Sequence, residues 1–150
     1  MLKQATVEDV SNKRITRIHG HVVVVTQYYP RFLRKNLIHE YVRDLAPTRE
    51  LLKEFKSEER ESGDHDEAFD DISYEEKFSF SKEGIEQLKR LAEISIARDV
   101  YLVCHCKIGQ RCHREILMLT ARELFGAKIG KLNFDWEKFA SRLPGGVTRD

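Results

Sequence analysis

Residues 100–117 read VYLVCHCKIGQRCHREIL, and this stretch holds all three cysteines of the chain and two of its six histidines. It begins with the largely apolar run Val100 to Cys104, which predicts a buried β-strand. A polar loop with one glycine follows, and apolar residues then recur at helical spacing from Cys112 to Phe125. A strand, a short loop and a helix are therefore expected, with Cys104 to Arg114 at their junction.

Strand and helix patterns alternate along the rest of the chain. Four consecutive valines within His21–Gln27 predict a second buried strand, which Pro30 ends. Apolar residues spaced by three and four predict helices at 33–45, 82–97 and 112–125, the last of them stopped by Gly126. Thr48 is expected to cap a further helix at 49–56. The fold class expected is α/β, with a small, mostly parallel sheet and helices on both faces in three layers.

Other segments carry weaker patterns. Residues 1–12 are expected to form a loosely tied terminus, and 57–71 a mobile acidic loop with too little apolar surface to order it. Short strands are expected at 15–18 and 129–132, and a helical turn within 72–80. A last helix is expected to start at Asp135 and to be closed by Pro144-Gly145-Gly146.

Length and composition limit the class of protein. A chain of 150 residues is expected to form a single domain, residues 1–150. The valine run is too short to span a bilayer, and the first twenty residues lack the apolar core of a signal peptide. A cytoplasmic location without a membrane partner is therefore expected. Three cysteines within nine positions are unlike a disulfide framework.

Charge is unevenly distributed although the formal net charge is only +1. Residues 13–53 contain nine Lys and Arg against three Asp and Glu, whereas residues 54–76 contain eleven acidic residues against two basic ones. A uniform nucleic-acid-binding surface is therefore disfavoured, but a local basic patch is compatible with the first half of the chain.

The loop before the predicted helix at Cys112 is a candidate anion site. Backbone amides are unpaired at a helix start, and the helix dipole is positive there. Because the carboxyl ends of parallel strands meet at one edge of a sheet, Arg31 is expected to face this loop across a crevice. A small anionic or phosphate-containing ligand would then contact Arg31, Lys107, Gly109, Arg111 and Arg114.

The first chemistry predicted for this loop is nucleophilic. Cys106 would be a thiolate stabilised by the helix start and Arg111, and His105 or His113 would transfer protons in a transferase or hydrolase. Four residues separate Cys106 from Arg111, one fewer than in the His-Cys-x5-Arg loop of tyrosine phosphatases. The shorter loop disfavours an ordinary phosphatase.

Two alternatives remain open. A small zinc-binding protein would use Cys104, Cys106, Cys112 and His113, because thiolate and imidazole are the ligands that zinc prefers. A nucleic-acid-binding module would stack bases on Tyr28 and Tyr29 beside the basic Arg31. The nucleophilic chemistry requires no cofactor, so zinc is the cofactor to test. Cys104 taken alone also has a purely structural interpretation, because free cysteines often pack in buried strands as small apolar residues.

Two family resemblances follow from these motifs. Tyr29-Pro30-Arg31, Asp44–Leu51, Tyr74–Phe80 and the Cys-x-Cys…Cys-His-Arg string resemble the family known as domain of unknown function 488, over about Val22 to Phe125. That resemblance implies an α/β fold with a functional loop at Cys104 to Arg114, and it implies no particular activity. Residues 100–136 are also similar to rhodanese-like sulfurtransferases, which carry a persulfide on the cysteine of such a loop.

Overall fold

The computed structural model describes residues 1–143, and a sheet of parallel strands lies at its centre. The strands of this region are β1 (Leu2–Thr6), β2 (His21–Val24), β3 (Glu40–Tyr41) and β4 (Val100–Cys104). Their order in the sheet is β1-β4-β2-β3, and every pair is parallel. The predicted α/β fold is confirmed, and the two strands predicted from apolar runs are neighbours at its centre.

Helices connect and cover these strands. Within the described residues they are α1 (Val7–Ser11), α2 (Arg49–Ser62), α3 (His65–Asp71), α4 (Tyr74–Lys77), α5 (Lys82–Ala97), α6 (His113–Phe125) and α7 (Glu137–Ala140). Short 3-10 turns occupy Lys35–Leu37 and Arg43–Leu45. None of the helices in this part of the chain combines the length and apolar character that a bilayer crossing requires.

Apolar side chains pack on both faces of the sheet. Val23 and Leu102 belong to the larger core, which includes residues of α5 and α6, whereas Val22, Val24 and Val103 belong to a smaller core with residues of α1. This division follows from the alternation of side chains along a strand. Burial on both faces explains why β2 and β4 are continuous apolar runs.

The helices predicted at 49–56, 82–97 and 112–125 are confirmed. Ser81 accepts a hydrogen bond from the Gly84 amide at 2.9 Å and so caps α5. A side chain at Gly84 would lie 2.7 Å from the Asp44 carbonyl oxygen, so only glycine fits this close approach. Gly126 has φ +66° and ends α6 in the left-handed conformation.

The amino-terminal segment is ordered, contrary to the prediction of a loose terminus. β1 pairs along its whole length with β4, and Leu2 and Ala5 are buried. Thr6 and Asp9 form a capping box in which each side chain accepts a backbone amide, at 2.9 and 3.0 Å. Two buried residues and a well-capped turn thus stabilise this segment. The strand was not predicted because most of the residues around the two buried ones are polar.

The segment 57–71, predicted to be a mobile acidic loop, is helical. α2 continues to Ser62 and ends at Gly63, which has φ +72°. Asp64 then caps α3 by accepting the Glu67 amide at 2.9 Å. Phe69 is buried and stacks on Tyr74 with ring centroids 4.0 Å apart. The helix caps and a few buried aromatic contacts therefore offset the entropy cost of ordering this segment. Its acidic composition alone had predicted that this cost would keep it mobile.

The helix predicted at 33–45 is wrong. The amides of His39 and Val42 donate to the carbonyls of Val22 and Val24, at 2.9 Å each, so the backbone pairs with β2. Apolar residues spaced by three and four occur here by coincidence, because the edge strand β3 and its flanking turns bury them. The strand predicted at 15–18 is also wrong: the segment forms a turn, and Ile18 is exposed.

The carboxyl-terminal predictions are partly confirmed. The helical turn expected within 72–80 is α4, and Ile129 makes a single parallel bridge to Leu2 in place of a full strand. Trp136, rather than Asp135, occupies the cap position of α7. The predicted stop at Pro144-Gly145-Gly146 lies outside the described residues.

Candidate functional site

A cavity of about 360 Å³ lies where β2 and β4 end. Residues that follow both strands line it, as do residues of α2, α3 and α4. All three cysteines and three of the histidines, His65, His105 and His113, are among the lining residues. The structure thus forms a crevice at the carboxyl ends of adjacent parallel strands, the edge where ligands bind in such sheets.

The three cysteines form a compact cluster at this cavity. Cys104 ends β4, Cys106 lies two residues further on, and Cys112 occupies the cap position of α6. Their sulfur atoms all lie within 4.8 Å of one another, and none is in a disulfide. Cys104 and Cys112 are buried, whereas Cys106 is partly exposed. Cys106 is therefore the cysteine that a ligand can reach.

Hydrogen bonding within the cysteine cluster shifts the pKa values of Cys104 and Cys106 in opposite directions. Hydrogen bonds from the thiols of Cys106 and Cys112 lower the pKa of Cys104 well below its usual value, despite burial. The same interaction with Cys104 raises the pKa of Cys106. Because this shift disfavours the thiolate that the sequence predicted, a nucleophilic role for Cys106 calls for a neighbouring base that takes its proton.

His113 is a fixed partner of the cysteine cluster. Its Nε2 donates to the Val25 carbonyl oxygen at 2.7 Å, and its Nδ1 lies 3.7 Å from Cys112 Sγ. Burial disfavours the charged ring, but the neighbouring Cys104 and Cys112 raise the pKa of His113 to about 10. The ring therefore retains a positive charge beside the cluster at neutral pH, rather than exchanging protons.

His65, which sequence reasoning did not select, contacts Cys106 directly. Its Nε2 lies 3.4 Å from Cys106 Sγ, and its Nδ1 lies 2.9 Å from Asp66 Oδ1. Because a carboxylate only accepts hydrogen bonds, Nδ1 carries the proton and the lone pair of Nε2 faces the thiol. Asp66 Oδ1 also accepts the Arg111 amide at 2.9 Å, which fixes the carboxylate. Thiol, imidazole and carboxylate are arranged as nucleophile, base and orienting group.

Tyr74 supplies a hydroxyl group to the same cavity. Its ring is buried between Phe69 and Phe78, with centroids 4.0 and 6.0 Å away. Within residues 1–143 its hydroxyl makes no hydrogen bond. Burial raises the pKa of Tyr74 well above its usual value, and the nearby cysteines raise it further, so the group remains a hydrogen-bond donor.

The predicted anion-binding arginines have protein partners. Arg114 is fully buried and donates to the carbonyl oxygens of Ala5 at 2.6 Å and Cys106 at 2.8 Å, which ties the cysteine loop to β1. The Arg111 guanidinium lies 4.4 Å from the Phe134 ring centroid and 3.5 Å from an Asp70 oxygen. Arg114 holds the loop in place from behind the cavity, whereas Arg111 contacts these partners and also lines the cavity.

The remaining predicted residues lie around the cavity or away from it. Tyr28 lines the cavity and is half exposed, whereas Tyr29 packs edge-on against Tyr41 on the opposite face of the sheet. His105 lies at the rim, where partial burial and the charge of Lys56 lower its pKa. Three further positions are exposed: Arg31, Lys107 and Gly109. Of these, Lys107 lines the cavity, and Arg31 does not.

Glu115 stabilises the wall behind Arg111. Its buried carboxylate accepts hydrogen bonds from Asn133 at 2.8 Å and from Trp136 Nε1 at 3.0 Å. This anchors the segment that carries Phe134 against the Arg111 guanidinium. No local pattern in the sequence signals this contact or that of His65, because both join residues that are far apart in the chain.

The comparisons with known proteins identify one family. A family model described as the active DUF488-N3 subclade matches residues 6–128. Neither the curated proteins nor the solved structures contain a match. The similarity to rhodanese-like sulfurtransferases is therefore not shown. The cysteine loop, β2 to β4 and the helices α1 to α6 lie within the matched residues, whereas four of the five residues of β1 precede them. The chain belongs to the DUF488 family, in its DUF488-N3a subclade.

Proposed function

We propose that this protein is a cysteine-dependent transferase or hydrolase in which Cys106 is the nucleophile and His65 the general base. The observation that supports this most is the 3.4 Å contact of His65 Nε2 with Cys106 Sγ, with Asp66 orienting the ring. The description of the matched subclade as active agrees with an enzymatic role.

The reaction follows from this arrangement. His65 takes the Cys106 proton as the sulfur attacks an electrophilic atom of the substrate, and Asp66 favours the imidazolium that forms. The leaving group departs with the bonding electron pair and takes the proton from His65. Water, or an acceptor molecule in a transferase, then displaces the Cys106 sulfur after giving its own proton to His65. The thiol is restored when that proton returns to sulfur.

Other cavity residues would stabilise the transition state. The Tyr74 hydroxyl lines the cavity and would donate to a substrate oxygen that gains negative charge, and the positive charge of His113 beside the cluster would favour the same charge. Lys56 and Lys107 line the same cavity and favour an anionic substrate. This retains the predicted anion preference and the cavity-lining Lys107 and Arg111, adds Lys56, and leaves Arg114 as a buried support of the loop.

Covalent trapping tests the proposal. The protein is incubated separately with p-nitrophenyl acetate, p-nitrophenyl phosphate and thiosulfate, and the modified residue is located by peptide mass mapping. An adduct on Cys106 that the Cys106→Ser variant lacks and the His105→Gln control retains is expected. Adducts confined to Cys104 or Cys112, or equal labelling of the Cys106→Ser variant, would contradict the proposal.

Zinc binding is a second candidate function, favoured by the sulfur geometry. Three thiolates on one tetrahedral zinc lie about 3.8 Å apart, and the three sulfurs here lie within 4.8 Å of one another. His113 donates through Nε2 to the Val25 carbonyl, the outer contact that orients a histidine ligand, while its Nδ1 faces Cys112. The donor set would therefore be Cys104, Cys106, Cys112 and His113.

Metal analysis of protein purified without chelator tests this candidate. One equivalent of zinc in the natural protein and in the His105→Gln control, absent from the Cys112→Ser variant, would support it. Much less than one equivalent in protein refolded with excess zinc would exclude it. Zinc held by Cys106 would also block alkylation of that sulfur until a chelator is added, so the two candidates are distinguishable.

A further inference from the structure

The loop that follows β2 exposes large apolar side chains beside the cavity. We call residues 28–35, which read YYPRFLRK, the rim loop. Tyr28 lines the cavity and is 54% exposed, and Phe32 is 95% exposed with φ +66°. A phenylalanine in the left-handed region is uncommon, and full exposure means that packing in the core does not account for it. These two rings are available to a ligand.

The same loop carries cations without acidic partners. Arg31, Arg34 and Lys35 are exposed, and none of them forms an ion pair within residues 1–143. The Lys35 Nζ lies 5.8 Å from the ring centroid of Tyr29, which is its aromatic contact. The acidic residues of the chain are concentrated in α2, α3 and α4, where Asp70 and Glu75 pair with Arg111. The positive charge of the rim loop is therefore left for a partner.

Two lysines and the acidic Glu59 line the cavity that Tyr28 of the rim loop also lines. Lys56 and Lys107 line the cavity together with Tyr28, and neither lysine forms an ion pair with another described residue. Ile108, next to Lys107, is 50% exposed. Tyr28 thus joins the rim loop to the cavity that contains Lys56, Lys107 and Cys106.

We infer that the rim loop binds single-stranded nucleic acid and directs one unpaired nucleotide into the cavity. Bases would stack on Tyr28 and Phe32, and phosphates would contact the three rim-loop cations. This names the substrate class of the proposed Cys106 reaction and rests on that proposal. An acidic peptide or an anionic membrane would use the cations but would gain little from two isolated aromatic rings. A duplex would keep its bases stacked and away from sulfurs at the floor of the cavity.

Fluorescence anisotropy with labelled oligo(dT) and oligo(rU) tests the inference. The full chain is expected to bind both, with an affinity that falls between about 50 and 200 mM NaCl. Phe32→Ala and Tyr28→Ala are each expected to weaken binding roughly fivefold or more, the range for removal of one stacked base. Arg31→Gln with Arg34→Gln is expected to lower the salt slope by about 0.7 for each phosphate that no longer pairs with a cation.

Matched controls lie at the opposite edge of the sheet. Lys89 and Lys128 are exposed beside Met1, so Lys89→Gln with Lys128→Gln removes the same charge far from the rim loop. Ile96 is 87% exposed on α5, so Ile96→Ala removes an exposed apolar side chain there. Neither control is expected to change affinity or salt slope. Thermal melting checks that each variant remains folded.

Three outcomes would overturn the inference. The first is no binding of oligonucleotides at low salt. The others are a loss of affinity in the control variants as large as in the rim-loop variants, and binding of polyglutamate or phosphatidylserine vesicles as tight as that of oligonucleotides. Because covalent trapping on Cys106 uses small probes and no nucleic acid, failure of the rim-loop inference and failure of the proposed reaction are separately visible.

Discussion

Two clusters of ionisable side chains in this molecule differ in how completely their groups are paired. The paired cluster consists of His21, Glu40 and Arg90, at β2, β3 and α5. Glu40 accepts hydrogen bonds from the His21 ring and from both terminal nitrogens of Arg90, and His21 stacks on His39 at 4.6 Å. Every charge in this cluster has an opposite partner within reach.

The cysteine cluster has the opposite character. It lines a cavity, its partly exposed Cys106 faces an imidazole lone pair, and the nearby Tyr74 hydroxyl makes no hydrogen bond within residues 1–143. A network that satisfies all its groups mainly stabilises the fold, whereas unpartnered donors beside a perturbed thiol are typical of sites that bind and react. Variants in the two clusters should therefore separate stability from reactivity.

The largest effect is expected for the buried arginine that anchors the cysteine loop. Arg114→Met leaves the Ala5 and Cys106 carbonyls without a charged donor and should lower the free energy of unfolding by about 3 kcal/mol. Arg90→Met in the paired cluster should cost less, because the Arg90 side chain is 40% exposed. Urea unfolding measures both. An equal loss of unfolding free energy in Arg114→Met and Arg90→Met would show that the deeper burial of Arg114 does not make its contacts more stabilising.

The second effect concerns rate rather than stability. His65→Gln should slow formation of the Cys106 adduct with p-nitrophenyl acetate roughly 100-fold, because the base is removed. The matched change His39→Gln, beside the paired cluster, should leave the rate unchanged. Stopped-flow release of p-nitrophenol measures both. A similar rate for all three proteins would assign the base to another residue.

A smaller effect is expected within the paired cluster. Glu40→Gln keeps the shape of the side chain but removes the charge that Arg90 and His21 contact, and should cost about 1 kcal/mol of stability. Reactivity of Cys106 should not change. A decrease in reactivity without a decrease in stability would reverse the roles assigned to the two clusters.

The smallest effect is expected at acid pH, where the difference in stability between the natural protein and Glu40→Gln should disappear. Burial alone would raise the pKa of Glu40, but its contacts with Arg90 and His21 lower it below the usual value. A carboxyl whose pKa is lowered by folding stabilises the protein above its unfolded pKa, and this contribution is lost as the pH falls through the folded value. Unfolding free energies of the natural protein and Glu40→Gln should therefore converge below about pH 4. A difference that stays constant into stronger acid would mean that the Glu40 charge contributes nothing.

Local patterns predicted the central elements of the fold. α5 and β4 have the predicted bounds, because apolar periodicity, the Ser81 cap and a continuous buried run depend on neighbouring residues. The same local signal failed at 33–45, where helical spacing arose by chance in a segment that pairs with β2. It also failed at β1, where the polar Lys3 and Gln4 lie between the two buried residues Leu2 and Ala5 and leave no alternating pattern.

The candidate site was predicted only in part, for a similar reason. The cysteine cluster is nearly continuous in sequence, so its position at a strand end could be predicted. His65 lies 41 residues before Cys106, in a segment whose acidic composition indicated disorder. Its role depends on the packing of α3 against the cavity, which no local spacing encodes. Arg111 and Arg114 have basic side chains near a helix start, but burial and aromatic contacts decide what they bind.

The rate of alkylation at each cysteine tests the central claim most directly. Limiting iodoacetamide is added to the natural protein, to His65→Gln and to His105→Gln, with and without chelator, and each cysteine is quantified by peptide mapping. Cys106 is expected to react first, and His65→Gln is expected to slow its alkylation whereas His105→Gln is not. Faster modification of Cys104 or Cys112, or a Cys106 rate that His65→Gln leaves unchanged, would contradict it.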